Sequence, residues 1–305
     1  MSPEYSDIIA AKAAYLQGQN ITNFLRARKS EQANTVDIIE FAYDLQAGTD
    51  IARLKSCPQQ TAAYCSELSD ILGQYVKSTD SLLDIGTGEM TTLALVLSKL
   101  ANKPKEIFAF DLSWSRIAKG AEFFAKSAKF HNNVNVFVAD ISAIPLNSCS
   151  IDIITSSHAL EPNGAIINIL LKELFRVAKK RLVLFEPCYE INSEEGKRRM
   201  EELGYIQNFE GVVVELGGKV VEQIRIENLS NPLNPTVCFV IEAGSGRTEP
   251  SKPRYSVPGT DFHLELLDNV YFSRDLGLSF PILRNIPILR EKFGIISTAL
   301  RNGVP

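Results

Sequence analysis

From Ser81 onward, short apolar runs alternate with longer segments of helical period. LLDIG (82–86), IFAFDLS (107–113), VNVFVADI (134–141), IDIITSSH (151–158) and RLVLFEP (181–187) read as strands. MTTLALVLSKL (90–100), SRIAKGAEFFAKSAK (115–129) and GAIINILLKELFRVAKK (164–180) read as helices; in the last, Ile167, Leu170, Leu174 and Val177 share one side. Apolar strands alternating with helices predict a parallel sheet covered on both faces. A helical stretch is expected from Ser193 to about Leu216. KVVEQIRIE and TVCFVIEA then form two further strands, joined by NLSNPLNP, a loop too short for a helical crossover, so this pair is expected antiparallel.

The flanks differ. Residues 1–60 are predicted to be a helical arm: Ile8, Ala11 and Tyr15 fall on one helix face, and VDIIEFAYDLQAG gives a second helix that stops near Gly48. TAAYCSELSDILGQYV adds a helix leading into the first strand. The main domain is expected over 61–243, a Gly/Ser/Pro linker over 244–254, and a small β-rich unit over 255–305.

Composition sets outer limits. The 305 residues are 45% hydrophobic and 22% charged, with a net charge of -4, so the chain holds a sizeable core and has no strongly basic balance to suggest nucleic acid. Five scattered cysteines without metal-ligand spacing suit a reduced, cytoplasmic setting. No apolar run reaches the roughly 18 residues that would span a membrane.

Candidate chemistry begins at DIGTGE. Gly86 and Gly88 directly follow an apolar strand, where glycine permits a tight turn and close approach of a ligand, with a helix N-terminus beyond. A dinucleotide fingerprint would place a third small residue at position 91, which is Thr91. Asp84 lies two residues before the first glycine; it repels a pyrophosphate and suits a ligand carrying an amino group and a positive centre.

DIGTGE, with the rest of the stretch from Ser81 to Ala243, resembles the class I S-adenosylmethionine-dependent methyltransferases. The resemblance implies a Rossmann-like, doubly wound, mostly parallel seven-stranded sheet ending in an antiparallel pair. It implies S-adenosyl-L-methionine as cofactor, held by Asp84, Gly86, Gly88 and Glu89 at the turn, by Asp111 and Leu112 after the second strand, and by Asp140 and Ile141 after the third. Ser156 and, from the helical arm, Tyr43 complete the expected set, with Gln46 beside Tyr43 in the lid. Acceptor chemistry is expected where strands four and five end, in SSHALEPNG and FEPCYE. His158 is the candidate general base, with Glu161 and Glu186 as orienting groups or substitutes, and Asn163 and Tyr189 as acceptor contacts. Each has a plainer reading: His158 as the hydrogen-bond partner of a backbone carbonyl, Asn163 as a helix cap, Glu186 idle in a loop. No metal spacing is present.

FPILRNIPIL near the C-terminus resembles the last hairpin of small zinc-ribbon-like proteins that partner some methyltransferases, but residues 251–305 contain no cysteine, so a metal-free unit is expected. The leading reading is methyl transfer to a small-molecule acceptor, a sugar or natural-product hydroxyl, carboxyl or amine, with a homodimer left open. A tRNA, rRNA or protein methyltransferase, a non-catalytic partner with the same fold, and a nicotinamide enzyme are the alternatives.

Overall fold

The computed structural model describes residues 5–127, 134–229, 231–243 and 249–302. Residues 128 and 129 of the helix predicted at 115–129 and 244–248 of the predicted linker lie outside the described residues.

The arm consists of α1 (Tyr5–Leu16), α2 (Ile21–Lys29), α3 (Val36–Leu45) and α4 (Thr49–Ser56). Asn20 caps α2 by accepting the Asn23 N–H, and Thr35 caps α3 through Ile38. Ala11, Ile21, Leu25, Ile38 and Ala42 give α1, α2 and α3 a core of their own. The next helix, α5 (Pro58–Leu72), starts at a proline, the residue best suited to a first helical position, and so crosses the boundary expected at 60/61.

The main sheet is built from β1 (Ser81–Ile85), β2 (Glu106–Asp111), β3 (Val134–Val138), β4 (Ile151–Ser157), β5 (Ala178–Pro187), β6 (Lys219–Arg225) and β7 (Thr236–Glu242). Its order is β3-β2-β1-β4-β5-β7-β6, parallel except for β7, which runs antiparallel to both β5 and β6. Helices α6 (Thr91–Lys99), α7 (Trp114–Ser127), α8 (Ile167–Val177), α9 (Glu194–Leu203) and α10 (Phe209–Glu215) complete the domain. Two large apolar clusters, one per face, explain why the central strands read as continuous apolar runs. The strand carboxyl ends are level: Ile85 pairs with Ser156 and Asp111 with Val138.

The C-terminal unit is an antiparallel sheet of β8 (Glu265–Leu267), β9 (Val270–Ser273), β10 (Leu278–Leu283), β11 (Ile286–Pro287) and β12 (Ile295–Ile296). The β10–β11 hairpin turns on Arg284 and Asn285, both at positive φ (49° and 63°), the geometry of a tight two-residue turn matched to strand twist. The chain after it joins the edge of the main sheet. Ile288 bridges Val138 in parallel, and the Leu289 N–H donates to the Val138 carbonyl at 2.8 Å. Buried Arg290 pairs with Glu40 of α3 at 2.6 Å, and Lys292 reaches Asp37 (3.1 Å) and Glu40 (2.6 Å).

The described end of the predicted linker is not free. The Ser251 N–H donates to Cys149 O at 3.0 Å, and Asn147 binds the Ser251 hydroxyl through its Nδ2 (2.7 Å) and accepts the Arg254 N–H (2.9 Å). Asn147 is what turns a Pro-rich connector into a docked strap. Among the described residues no helix is long and apolar enough to cross a membrane, and no group of His, Cys, Asp and Glu is arranged to hold a metal.

Candidate active site

At the end of β1 the chain reverses through Gly86 and Gly88, at φ +59° and +55°. Both conformation and space demand glycine here. A Cβ on Gly86 would lie 2.5 Å from the Ala159 Cβ, and one on Gly88 would lie 2.9 Å from Asp50 Oδ2. The Thr87 N–H donates to Phe110 O at 2.9 Å and ties the turn to β2.

Three acids converge on the cavity that opens above this turn, a space of about 590 Å³. That volume falls within the roughly 300–1,000 Å³ of small-molecule sites. Asp84 is buried at the end of β1. Burial, with the Asp111 charge added, pushes its pKa up to about 7 against the opposing Thr87 hydroxyl. Asp111, at the end of β2, accepts the Gly88 N–H on Oδ2 (2.9 Å) and the Ser113 N–H on Oδ1 (2.8 Å). Burial raises it, while Arg116 and these two N–H groups work the other way. Asp140, past β3, binds the Ser142 N–H and hydroxyl through Oδ1, both at 2.8 Å. Leu112 and Ile141 line the wall beside them.

One wall of the cavity is α3, the corner after it and α4, which bring Val36, Ile39, Tyr43, Gln46, Asp50 and Arg53 to it. Its anchor is Glu89, which is fully buried, accepts the Gly48 N–H (2.7 Å) and the Ile51 N–H (2.9 Å), and does not line the cavity. Glu89 was expected at the cofactor; it instead fixes the α3–α4 corner against the glycine turn. Arg116 of α7 reinforces the corner by pairing with Asp50, with its guanidinium over the Tyr43 ring at 5.5 Å. Asp44 adds a third tie by accepting the Ser113 hydroxyl at 2.6 Å.

The other end of the cavity centres on His158, which sits at φ +62° just past β4. Its Nδ1 meets Glu161 Oε2 at 2.8 Å and its Nε2 meets Thr236 Oγ1 at 3.1 Å. Asn234 Nδ2 also donates to Glu161 Oε2 at 3.1 Å. Burial alone would lower the His158 pKa, but the Glu161 carboxylate outweighs it and holds the imidazole above its usual value. Burial acts on Glu161 in the opposite sense and loses to His158, so this carboxyl lies below its usual range. The Tyr64 and Ser157 hydroxyls, 2.8 Å apart, stand on the same wall.

Of the residues predicted for the site, Asp84, Gly86, Gly88, Asp111, Leu112, Asp140, Ile141, Tyr43, His158, Glu161 and Asn163 meet in this one cavity. Ser156, Glu186 and Tyr189 do not line it. Strand alternation explains the first: Ser157 takes the cavity wall, and Ser156 points inward to donate to Glu186 Oε1 at 2.6 Å. Glu186 is fully buried beneath the β4 turn, and half-buried Tyr189 is bound to Glu201. The cavity also recruits Arg116, Tyr64, Tyr205, Asn234 and Thr236, which the motifs did not mark. Thr236 opens β7, whose antiparallel pairing with β5 brings it beside the β4 and β5 ends; the sequence predicted only the pairing of β7 with β6.

The site suits the cofactor that its acids suggest. Small-residue space at the turn, carboxylates at two strand ends and an acid beyond the third fit an adenosyl group with a cationic amino acid tail.

Comparison with known proteins agrees. Residues 76–214 match the model of a family described as a methyltransferase domain. No curated protein matches the sequence. Among solved structures, a chain from the complex of the Haloferax volcanii Trm112 methyltransferase activator with a methyltransferase is similar at 15% identity, covering 66% of this chain and 97% of its own, with a TM-score of 0.51. An Aquifex aeolicus S-adenosylmethionine-dependent methyltransferase is 18% identical over 64% of this chain and 98% of its own, with a TM-score of 0.48. One from Methanosarcina mazei is 18% identical over 57% and 97%, also at 0.48. The match over residues 76–214 supports a class I S-adenosylmethionine-dependent methyltransferase domain there, with S-adenosyl-L-methionine as its cofactor.

Proposed function

We propose that the protein transfers a methyl group from S-adenosyl-L-methionine to a hydroxyl of a small, neutral, polar molecule, with His158 as general base. The observation that carries this reading is the placement of the His158–Glu161 pair in the same cavity as the acid-lined glycine turn. When bound, the cofactor supplies an electrophilic methyl on a sulfonium centre. Asp84, Asp111 and Asp140 are the residues that would hold it, Asp111 at the ribose hydroxyls and Asp140 near the base.

Glu161 orients the imidazole through Nδ1, so Nε2, beside the Thr236 hydroxyl, is the atom that takes the acceptor's proton. Asn234 and Tyr205 keep Glu161 ionised by hydrogen-bonding its carboxylate. Because His158 titrates above its ordinary value, its basic form grows in as pH rises through that point, and turnover should rise with it. The acceptor end is lined mostly by neutral amides and hydroxyls, such as Gln60, Thr61, Tyr64, Asn231 and Asn234; Arg53 is the cation there. This favours a neutral acceptor over a carboxylate or a nucleic-acid backbone.

The C-terminal unit carries no site of its own in this reading. It covers the β3 edge and braces α3, a buttress supplied within the chain.

Calorimetry with S-adenosylhomocysteine, using NAD as control, tests the cofactor half; competition by NAD refutes it. Methyl-donor turnover against panels of neutral hydroxyl compounds, carboxylates and amines tests the acceptor half. His158→Ala should lower kcat by about 10²–10⁴ and leave adenosylhomocysteine affinity unchanged. Full activity in that variant removes His158 as the base.

A further inference from the structure

Glu186 is the most deeply buried acid at the strand ends, with no measurable exposure. It forms no ion pair with Lys or Arg among the described residues. A buried carboxylate without such a partner is costly, and the cost is normally avoided by a neutral side chain. Here three donors converge on the carboxyl and offset part of that cost. Oε1 accepts the Ser156 hydroxyl (2.6 Å), the Ala159 N–H (3.1 Å) and the Leu160 N–H (3.2 Å), and Oε2 accepts the Leu160 N–H at 3.2 Å. Oε1 alone takes all three donors, so the turn needs one unprotonated oxygen, and burial pushes the Glu186 pKa up to about 7, so its charge is set near neutral pH. Two successive N–H groups converging on one anion form a backbone nest.

The nest follows directly on His158, whose left-handed backbone is unfavourable for a non-glycine residue. The anchoring of residues 159 and 160 holds His158 in that conformation. The same turn presents Ala159 to Gly86, in the space a glycine leaves.

We propose that Glu186 is a positioning residue: its carboxylate fixes the β4 turn, and the turn sets both the His158 imidazole and, through Ala159, the cofactor's glycine turn. The proposal rests on the reading of His158 given above, and part of its test is independent of methyl transfer. The groups that face His158 are Glu161 on its own turn, Tyr64 of α5 at 6.4 Å between ring centroids, Arg53 of α4, Glu186 of β5, and the neutral Asn234 and Thr236 at the start of β7, with Tyr205 behind Glu161.

The test is NMR titration of the His158 ring in the full chain, assigned by its loss in His158→Gln, together with adenosylhomocysteine calorimetry. The variants are Glu186→Gln and Glu186→Asp, with Ser156→Ala as control. Glu186→Gln should move the His158 titration down and weaken adenosylhomocysteine about tenfold. Glu186→Asp, which restores the charge at shorter reach, should fall between it and the parent. Ser156→Ala keeps both backbone contacts and should leave the titration unchanged. A folded Glu186→Gln protein with lowered thermal stability but the parent's His158 titration and affinity would show that Glu186 only caps the turn, and would overturn the proposal. If Glu186→Gln fails to fold, the parent still decides: the His158 resonances must show a second inflection as Glu186 ionises, and a single inflection refutes the coupling. A parent that binds no adenosylhomocysteine breaks the cofactor reading while the ring titration still judges Glu186.

Discussion

Replacing Gly86 by alanine separates two penalties that this fold keeps apart. The φ of +59° costs an alanine roughly 1–2 kcal/mol. The new Cβ would also lie 2.5 Å from the Ala159 Cβ, far inside the ~3.5–4.0 Å of normal carbon contact, and overpacking of this kind costs about 1–3 kcal/mol. The sum is about 2–5 kcal/mol. Gly18 provides the internal control: its φ is +74°, and a Cβ there meets nothing within 4 Å, so Gly18→Ala carries the conformational cost alone. Thermal unfolding of both variants, followed by adenosylhomocysteine calorimetry, reads the difference. Gly86→Ala should melt several degrees below Gly18→Ala. It should lose at least about tenfold in affinity, because the turn and Ala159 must move apart beside the ligand, whereas Gly18→Ala should bind normally. Equal melting points and equal affinities would show that the turn and the 158–160 segment are not packed together, and the account of how the two halves of the site are joined would fall with them.

Burial raises the folded-state pKa of Asp84 from 3.8 to about 7, so between those values the native state holds a proton that the unfolded chain has released. Stability should therefore fall as pH rises from about 4 to 7, and Asp84→Asn should flatten that part of a melting-temperature profile; an unchanged profile would mean that Asp84 is ionised throughout. Glu89→Gln places an amide N–H₂ against the Gly48 or Ile51 N–H and should cost about 1–3 kcal/mol, with faster hydrogen exchange across 46–56 and little change elsewhere. Arg290→Met removes the buried partner of Glu40 and should speed exchange in α3 and weaken adenosylhomocysteine binding; protection in α3 equal to the parent's would show that the C-terminal unit does not brace that helix.

The strands and the acid-lined turn were legible in the sequence because both rest on local signals: continuous apolar runs, glycine after a strand, an acid at or just past the ends of the first three strands. Tyr43 was reachable through the expectation of a helical lid. What stayed hidden is contact between distant segments. Nothing local distinguishes Glu89, which anchors residues 48 and 51, from an acid facing a ligand. Glu186 looked like an acceptor-side acid because it ends a central strand, yet the side chain turns under its neighbour β4. Arg116 reads as one cation on an amphipathic helix until Asp50 and Tyr43 arrive from the arm. The docked strap at 251–254 was read as a linker from its prolines, whereas its fixation depends on Asn147, more than a hundred residues earlier.

The pairing of Val138 with Ile288 also has a consequence in time. The two residues are 150 positions apart (288 − 138), and translation adds about 5–20 residues each second. On the ribosome, the open edge of β3 therefore waits on the order of 8–30 seconds for the segment that closes it. During that interval it offers unpaired backbone to any extended chain nearby, including the nascent neighbours on a polysome. A chain cut before Ile286 would make the exposure permanent, so the short segment from Ile286 to Leu289 governs how safely this protein is made as well as how it works.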